Sequence, residues 1–458
     1  MIPFGLLGGF CDHLEIRITG LSEKGFSFRV PEKIEKAACL DICFFDFSAD
    51  CYRKVQLAEK EREMKLTEET PFFFIYSVWT KNGEYREQVK RLVTDYDNYI
   101  SLKLAGDDAY LSEKMVGYPA ELDEVYAESF EEQKKEWFSC VGDGIQECRN
   151  TWEHKKWNIT DLPEFELAIT IDRPELYYDF LQKDWTRFCH DYWKNNFLEH
   201  HTLSKKRVTR IYIGNQFCHN LFPRKELLFQ VLEKALENNL AVTLAFSYIR
   251  NHLLEEIDEL LQELEVWCQS REKEAGKDQE EIIVNDWAMP ILLQGKPHLK
   301  PVLGVLLNKR RKDVRLPCKH GIGNHVDSLA ENNLNCGFYQ DYLKNTFDIQ
   351  RFEFESCGYK VTIPDGHHSL HLPFFQTNTS QYCTLYAVCR YGDREKQKLP
   401  ENCPKYCEQK VFLYPKHLKM VGRYNSLFGY DEKILWDEKQ LQDYLEQGIE
   451  RIVVNVSL

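Results

Sequence analysis

Apolar and polar side chains alternate through Leu14–Thr19 and Phe26–Val30, and denser apolar runs occupy Leu40–Phe47 and Phe72–Trp79. A period of two puts every second side chain on one face of a strand, so this region is expected to be β-rich. Gly20, Gly25 and Asn82-Gly83 punctuate the runs, and Asn-Gly predicts a tight turn. Acids, aromatics and lysines interleaved across 121–138 predict a helix. These features together predict a β-rich N-terminal domain over residues 1–140, barrel-like or sandwich-like and closed by that helix. Residues 141–162 mix Gly, polar residues and Trp without a period and predict a linker.

From residue 163 the pattern changes. Arg210–Ile213 is a short β-branched stretch ended by Gly214-Asn215, and residues 224–238 then carry Leu227, Leu228, Val231, Leu232 and Ala235 at helical spacing. Leu240–Ala245, a helix over 252–273 and Glu281–Val284 repeat the alternation. Arg351–Glu355, Ser369–Phe375, Val411–Tyr414 and Arg451–Val456 are further strand candidates, with a helix near 438–447 before the last. Short apolar strands alternating with helices imply a parallel sheet covered by helices. The expected fold is therefore α/β: a TIM-like barrel, complete or incomplete, over residues 163–458 behind the N-terminal β-rich domain. In such a barrel, chemistry gathers where strands end. The polar residues just past the apolar runs are then the candidates for catalysis: Asn215, Asp286 and Asn378, with Arg423 near the end of the chain.

The chain of 458 residues is long enough for two domains, and 43% hydrophobic with 29% charged residues is a globular composition. A formal net charge of −14 repels a phosphate backbone, so a small molecule, a peptide or a protein is the expected partner, in a hetero-oligomer or alone. RNA stays open only through the basic run Lys309-Arg310-Arg311-Lys312, which reads first as a solvated helix end. No stretch is apolar for eighteen residues, so no membrane span is expected, and the first residues do not have the form of a signal peptide. A cytoplasmic protein is the expectation. The chain has no GxxxxGK[ST], GxSxG or HExxH, which removes phosphate-loop, serine-hydrolase and zincin chemistry.

Of the 16 cysteines, four stand close together: Cys383, Cys389, Cys403 and Cys407, spaced C-x5-C-x13-C-x3-C. In a reducing compartment, widely spread cysteines are buried hydrophobes or metal ligands. Four thiolates in so short a span suit an iron–sulfur cluster, with zinc as the alternative. Zinc sites usually carry two close C-x2–4-C pairs, and here only Cys403 and Cys407 form one, which favours a 4Fe-4S cluster. Cys218, just past Arg210–Ile213, is the other candidate for a ligand or a buried thiol. His367, His368 and His371 precede the cysteines and read as a polar rim or as hydrogen-bonded histidines, with a metal role as the alternative. Asp286 reads as a base, a ligand or a helix cap.

Residues 208–458 resemble the collagenase-like peptidase family, peptidase family thirty-two of unknown catalytic type. The resemblance rests on Ile211–Asn215, Ile283–Trp287, Leu303–Asp313, Thr377–Cys383 and Met420–Ser426. It implies a TIM-like barrel, and members that resemble oxygen-independent hydroxylation proteins acting in ubiquinone synthesis and RNA base modification. Several of these hold a four-iron four-sulfur cluster on four cysteines. Cys389, Cys403 and Cys407 fit the later part of such a pattern, with Cys383 or Cys218 as the fourth ligand. An enzyme or enzyme subunit follows, with a non-catalytic partner subunit or a peptidase as the alternatives. Gly20–Phe26 resembles the Ser-x-x-Gly turn of PilZ-type barrels, but no arginine-rich switch accompanies it. A β-domain that docks onto the barrel or a partner is the expected role of the first domain.

Overall fold

A computed structural model describes residues 6–105, 124–139, 162–275, 280–312 and 330–457, apart from positions 13, 35–36, 47–48, 50, 126, 311, 394–395, 397, 401, 414–418 and 436 within them. The expected linker over 141–162 lies outside these residues except for Leu162. The chain divides into two compact units, one of Met1–Asp123 with Arg315–Glu331 and one of Glu124–Val314 with Asn332–Leu458.

The first unit is an antiparallel sheet of β1 (Leu7–Cys11), β2 (Leu14–Ser22), β3 (Gly25–Val30), β4 (Cys39–Asp46), β5 (Cys51–Ala58), β6 (Arg62–Glu69) and β7 (Phe74–Thr80), in the order β5-β4-β1-β2-β3-β7-β6. Asn82-Gly83 does not make the predicted hairpin turn. Asn82 Oδ1 accepts the Tyr85 backbone N–H at 2.9 Å, which caps the helix Gly83–Ala105. That helix buries Tyr85, Val89 and Leu92 in the same core as Phe28, Phe44 and Val55.

The second unit contains β8 (Glu124–Val125) and then the parallel strands β9 (Glu166–Ile171), β10 (Arg210–Ile213), β11 (Ala241–Ala245), β12 (Glu280–Val284), β13 (Leu299–Leu303), β14 (Glu353–Glu355) and β15 (His368–Leu372). β16 (Phe374–Thr379), β17 (Phe412–Leu413), β18 (Met420–Arg423), β19 (Ser426–Tyr430) and β20 (Ile449–Val454) complete it. Eight of these strands form one parallel sheet in the order β13-β12-β11-β10-β9-β20-β15-β14. A parallel bridge from Leu303 to Phe352 joins its two ends. The result is a nearly closed TIM-like barrel whose strands follow chain order, as the βα alternation predicts. Arg210–Ile213, the Ala241–Ala245 strand and Glu280–Val284 are consecutive parallel neighbours.

The barrel is filled in layers. Ala168, Tyr212, Ala245, Ile283, Val302 and Val453 form one buried layer. At the N-terminal ends of the strands lies an ionic layer. Arg451 donates to Glu166 at 2.6 Å and to Glu281 at 2.6 and 3.0 Å, while Arg210 donates to Glu166 at 2.9 Å and to Glu281 at 3.3 Å. Burial alone would raise the Glu281 carboxyl, but Arg451, Arg210 and Arg351 outweigh it and hold it at about 2.

The expected single strand Ser369–Phe375 is two strands in two sheets. Pro373 has no N–H to continue a ladder, and the chain leaves the barrel there. Residues 373–448 form an insertion between the last two barrel strands. Its antiparallel sheet has the order β16-β19-β18-β17-β8, so the Val411–Tyr414 candidate lies in this sheet rather than in the barrel. The helix Ala127–Ser139 belongs to this unit rather than closing the N-terminal sheet. Its Trp137 stacks on Tyr430 at 5.1 Å and its Phe138 meets the same ring edge-on at 5.3 Å.

Candidate metal centre

The site is built from one barrel loop and the insertion. β10 ends at Gly214, where φ is +105° and a Cβ would fall 2.5 Å from the Ala245 carbonyl oxygen, so glycine is required for the turn. Asn215 follows. Its Oδ1 accepts the backbone N–H groups of Phe217 and Cys218, both at 2.9 Å, and its Nδ2 donates to the Asp172 carbonyl at 3.3 Å. This side-chain turn sets Cys218 at the barrel mouth.

The insertion supplies three more thiols. Cys383 caps the helix Thr384–Tyr391, its Sγ accepting the Tyr386 N–H at 3.3 Å and donating to the Tyr424 carbonyl at 3.0 Å. Cys403 and Cys407 flank Lys405, whose left-handed backbone (φ +55°) folds the loop into the 3-10 turn Tyr406–Glu408. Arg423, 6% exposed, donates its Nε to the Cys407 carbonyl at 2.9 Å.

Cys218, Cys383, Cys403 and Cys407 line one small cavity of about 30 Å³, together with His219, Tyr248 and Arg250. All four are free thiols. Burial pushes the Cys218 thiol up to about 11 and the Cys383 thiol up to about 12, with nearby cysteines acting in the same direction on both. Burial raises Cys407 still further, against Arg423. The insertion is tied over this cavity by Tyr248, whose hydroxyl donates to the carbonyls of Ser380 and Gln381 at 3.3 and 3.2 Å and accepts Asn425 Nδ2 at 3.0 Å. The Phe217 ring meets Phe428 edge-on at 4.9 Å.

Cys389 does not line this cavity. It lies six residues beyond Cys383 on the helix, a rotation of about 240°, which carries it to another face. Burial raises its thiol, and Lys410 opposes the shift. Among the described residues, no group of three or more His, Cys, Asp or Glu is disposed to hold a single metal ion.

The other predicted residues occupy distinct places. Asp286 is spent on backbone: Oδ1 accepts from Ala288 and Met289 at 3.1 and 3.0 Å, and Oδ2 accepts from Ile249. These bonds give Asp286 a structural role just ahead of the short helix Met289–Leu292. Asn378 is exposed on β16 at a register shift against β19. His371 is inside the barrel, its Nε2 2.5 Å from Glu353, and His368 stacks on Phe352 at 4.8 Å, whereas His367 faces Glu450 at the surface. In the basic run Lys309 is exposed, whereas Arg310 and Lys312 are drawn inward. Arg310 donates to the Glu355 carbonyl at 2.7 Å, and Lys312 donates to the Glu355 carboxylate at 2.7 Å and to Gln376 at 2.9 Å, both inside the fold. Arg311 lies outside the described residues.

Beside the cysteine cavity, and sharing His219, Asn220, Tyr248 and Cys403 with it, opens a cleft of about 1090 Å³. Tyr177, Phe222 and Phe246 give it apolar walls, and Arg224, Lys225, Glu256 and Glu259 are among its charged lining. The cleft leaves no sign in the sequence, because its walls come from separate loops and from three helices, Pro174–Gln182, Lys225–Glu237 and Leu254–Ala275. Among the described residues, no helix is long and apolar enough to cross a membrane. Comparisons of the chain with protein-family models, with curated proteins and with solved structures return no match.

Proposed function

We propose that the chain is an iron–sulfur enzyme or enzyme subunit that carries out oxygen-independent hydroxylation, or a related modification, on a substrate held in the cleft beside the cysteines. The observation that carries this reading is the convergence of Cys218, Cys383, Cys403 and Cys407, distant in sequence, on one cavity at the barrel mouth. In TIM-like barrels this is the end that carries catalysis.

The donor set suits a 4Fe-4S cluster. The cavity offers four thiols, which are soft donors, with no carboxylate and with His219 as its one imidazole. One zinc ion would need all its sulfurs about 2.3 Å from a single point, whereas a cubane spreads them around a larger body. The four thiols line one common space, the arrangement that a cluster with four cysteine ligands needs. Each cysteine turns on a single χ1, so rotamer changes at four positions can enlarge that space. When bound, such a cluster supplies electron transfer.

The chain's own residues do the rest. Asn215 and Arg423 fix the backbone of two ligands, and Tyr248 with Asn425 holds the insertion in place. Tyr177, Phe222 and Phe246 exclude water from one side of the cleft, where a substrate of aromatic or apolar character would lie against Cys403. A peptidase would need a thiol activated by a neighbouring base, whereas burial raises Cys218 and Cys383.

Anaerobic purification followed by visible spectroscopy and electron paramagnetic resonance tests the proposal. The expected protein is brown, its absorbance bleaches on reduction, and the reduced form is paramagnetic. A colourless protein with stoichiometric zinc would replace this reading with a structural metal centre.

A further inference from the structure

A second cavity, of about 380 Å³, lies between the helix Ala127–Ser139, the start of the helix Pro174–Gln182 and β18. Four cations line it: Lys134, Arg173, Arg423 and the exposed Lys410. Lys134 is 2% exposed, and its Nζ donates to the neutral amide of Asn196 at 2.7 Å. The Phe130 ring lies 6.0 Å from the Lys134 ammonium and 6.0 Å from the Arg423 guanidinium, so both charges border the same wall. Arg173 donates from Nη1 to the Ser457 carbonyl, and its buried Nε has no hydrogen-bond partner. Arg423 uses its Nε on Cys407, which leaves its two amino groups for other partners.

Among the described residues no carboxylate forms an ion pair with Lys134 or Arg423, although Asp172 and Glu131 act at longer range on both Lys134 and Arg173. Glu131, Glu175 and Glu408 are exposed at the rim, and Glu175 comes no nearer than 3.7 Å to Arg173 Nε. Asp179 and Asp191 are engaged by Lys183 at 2.8 and 3.1 Å. Burying an ammonium against a neutral amide costs free energy that an anion between the cations would return.

We infer that this cavity is a binding site for a small oxyanion, a carboxylate or a phosphate group, gripped by Lys134, Arg173 and Arg423. The state of Lys134 agrees with it. Burial lowers its amine to about 7; Glu131 opposes this, while Arg173 and Arg423 reinforce it. A bound anion would reverse that repulsion. No cysteine lines this cavity, although Arg423 joins it to the cysteine site through the Cys407 carbonyl.

Calorimetric titration of the full chain with inorganic phosphate and, separately, with acetate tests it. Two variants accompany the wild type. Lys134→Met removes a buried charge, and Asn196→Asp puts a carboxylate where the amide now meets the Lys134 ammonium. The expected result is one saturable site in the wild type, weakened about tenfold or more in both variants while circular dichroism is unchanged. Saturation by phosphate alone assigns a phosphate group, and saturation by both anions or by acetate alone assigns a carboxylate. Absence of saturable binding by either anion in the folded wild type overturns the inference, as does affinity unchanged in whichever variants fold.

Discussion

Asn215 Oδ1 accepts the backbone N–H of Cys218 at 2.9 Å, so a residue expected to act in catalysis instead holds a cysteine of the candidate metal centre in place. Asn215→Ala removes that acceptor. Partners that orient metal ligands typically matter by about 10- to 100-fold in affinity. We expect Asn215→Ala to retain metal correspondingly less well in a chelator challenge, with unchanged secondary structure. Asn215→Asp keeps the acceptor oxygen and should lose less. Equal retention in wild type and Asn215→Ala would refute the role.

Arg423 acts on Cys407 in the same way, through its Nε on the carbonyl at 2.9 Å, and its charge favours the thiolate against burial. Arg423→Met is expected to weaken metal retention by about tenfold or more. Arg423→Lys should rescue the charge but not the hydrogen bond, and so fall between the two. Metal analysis after dialysis decides the order.

Much of the barrel was legible because its strands are short apolar runs separated by helical stripes, as at Arg210–Ile213 and the Leu228, Val231 and Leu232 face behind it. Two strands of the barrel itself were not legible. Glu166–Ile171 starts beside a stretch without periodicity, and Leu299–Leu303 contains Lys300 and Pro301, which break the apolar run. The insertion was hidden because Ser369–Phe375 reads as one strand unless Pro373 is taken as its end. At the site, linear spacing grouped Cys389 with its neighbours. Folding instead turns it to another face of its helix and brings in Cys218 from a loop far away in sequence. Spacing along the chain cannot report that exchange. The basic run misled in another way: the sign of Arg310 and Lys312 was plain, but the Glu355 that draws both inward is far from them in sequence.

The ionic layer at the barrel floor carries a pH prediction. Glu281 is held at about 2 in the fold, below the ordinary glutamate value of about 4.3. A carboxyl depressed on folding contributes stability that is complete above its unfolded value and is lost as pH falls toward the folded one. Denaturant midpoints should therefore drop between about pH 5 and pH 2. Glu281→Gln should flatten that part of the profile. It also leaves Arg451 and Arg210 short of a counter-charge, at a cost of about 3–5 kcal/mol near neutral pH. An unchanged midpoint in the variant would contradict the account.

Asp286, in its structural role, is expected to matter for stability and not for the metal. Asp286→Ala leaves the Ile249, Ala288 and Met289 N–H groups without their acceptor and should cost about 1 kcal/mol or more in urea unfolding. Iron content per folded chain should stay at the wild-type level; a loss of iron without a loss of stability would restore a direct role for this carboxylate.

The most direct measurement is iron and acid-labile sulfide per chain in anaerobically prepared wild type, Cys218→Ser and Cys389→Ser. The account predicts about four irons and four sulfides in the wild type, the same in Cys389→Ser, and a severe loss of both in Cys218→Ser. Full loading of Cys218→Ser with loss in Cys389→Ser would contradict the convergence of Cys218 with Cys383, Cys403 and Cys407 as the centre of this protein.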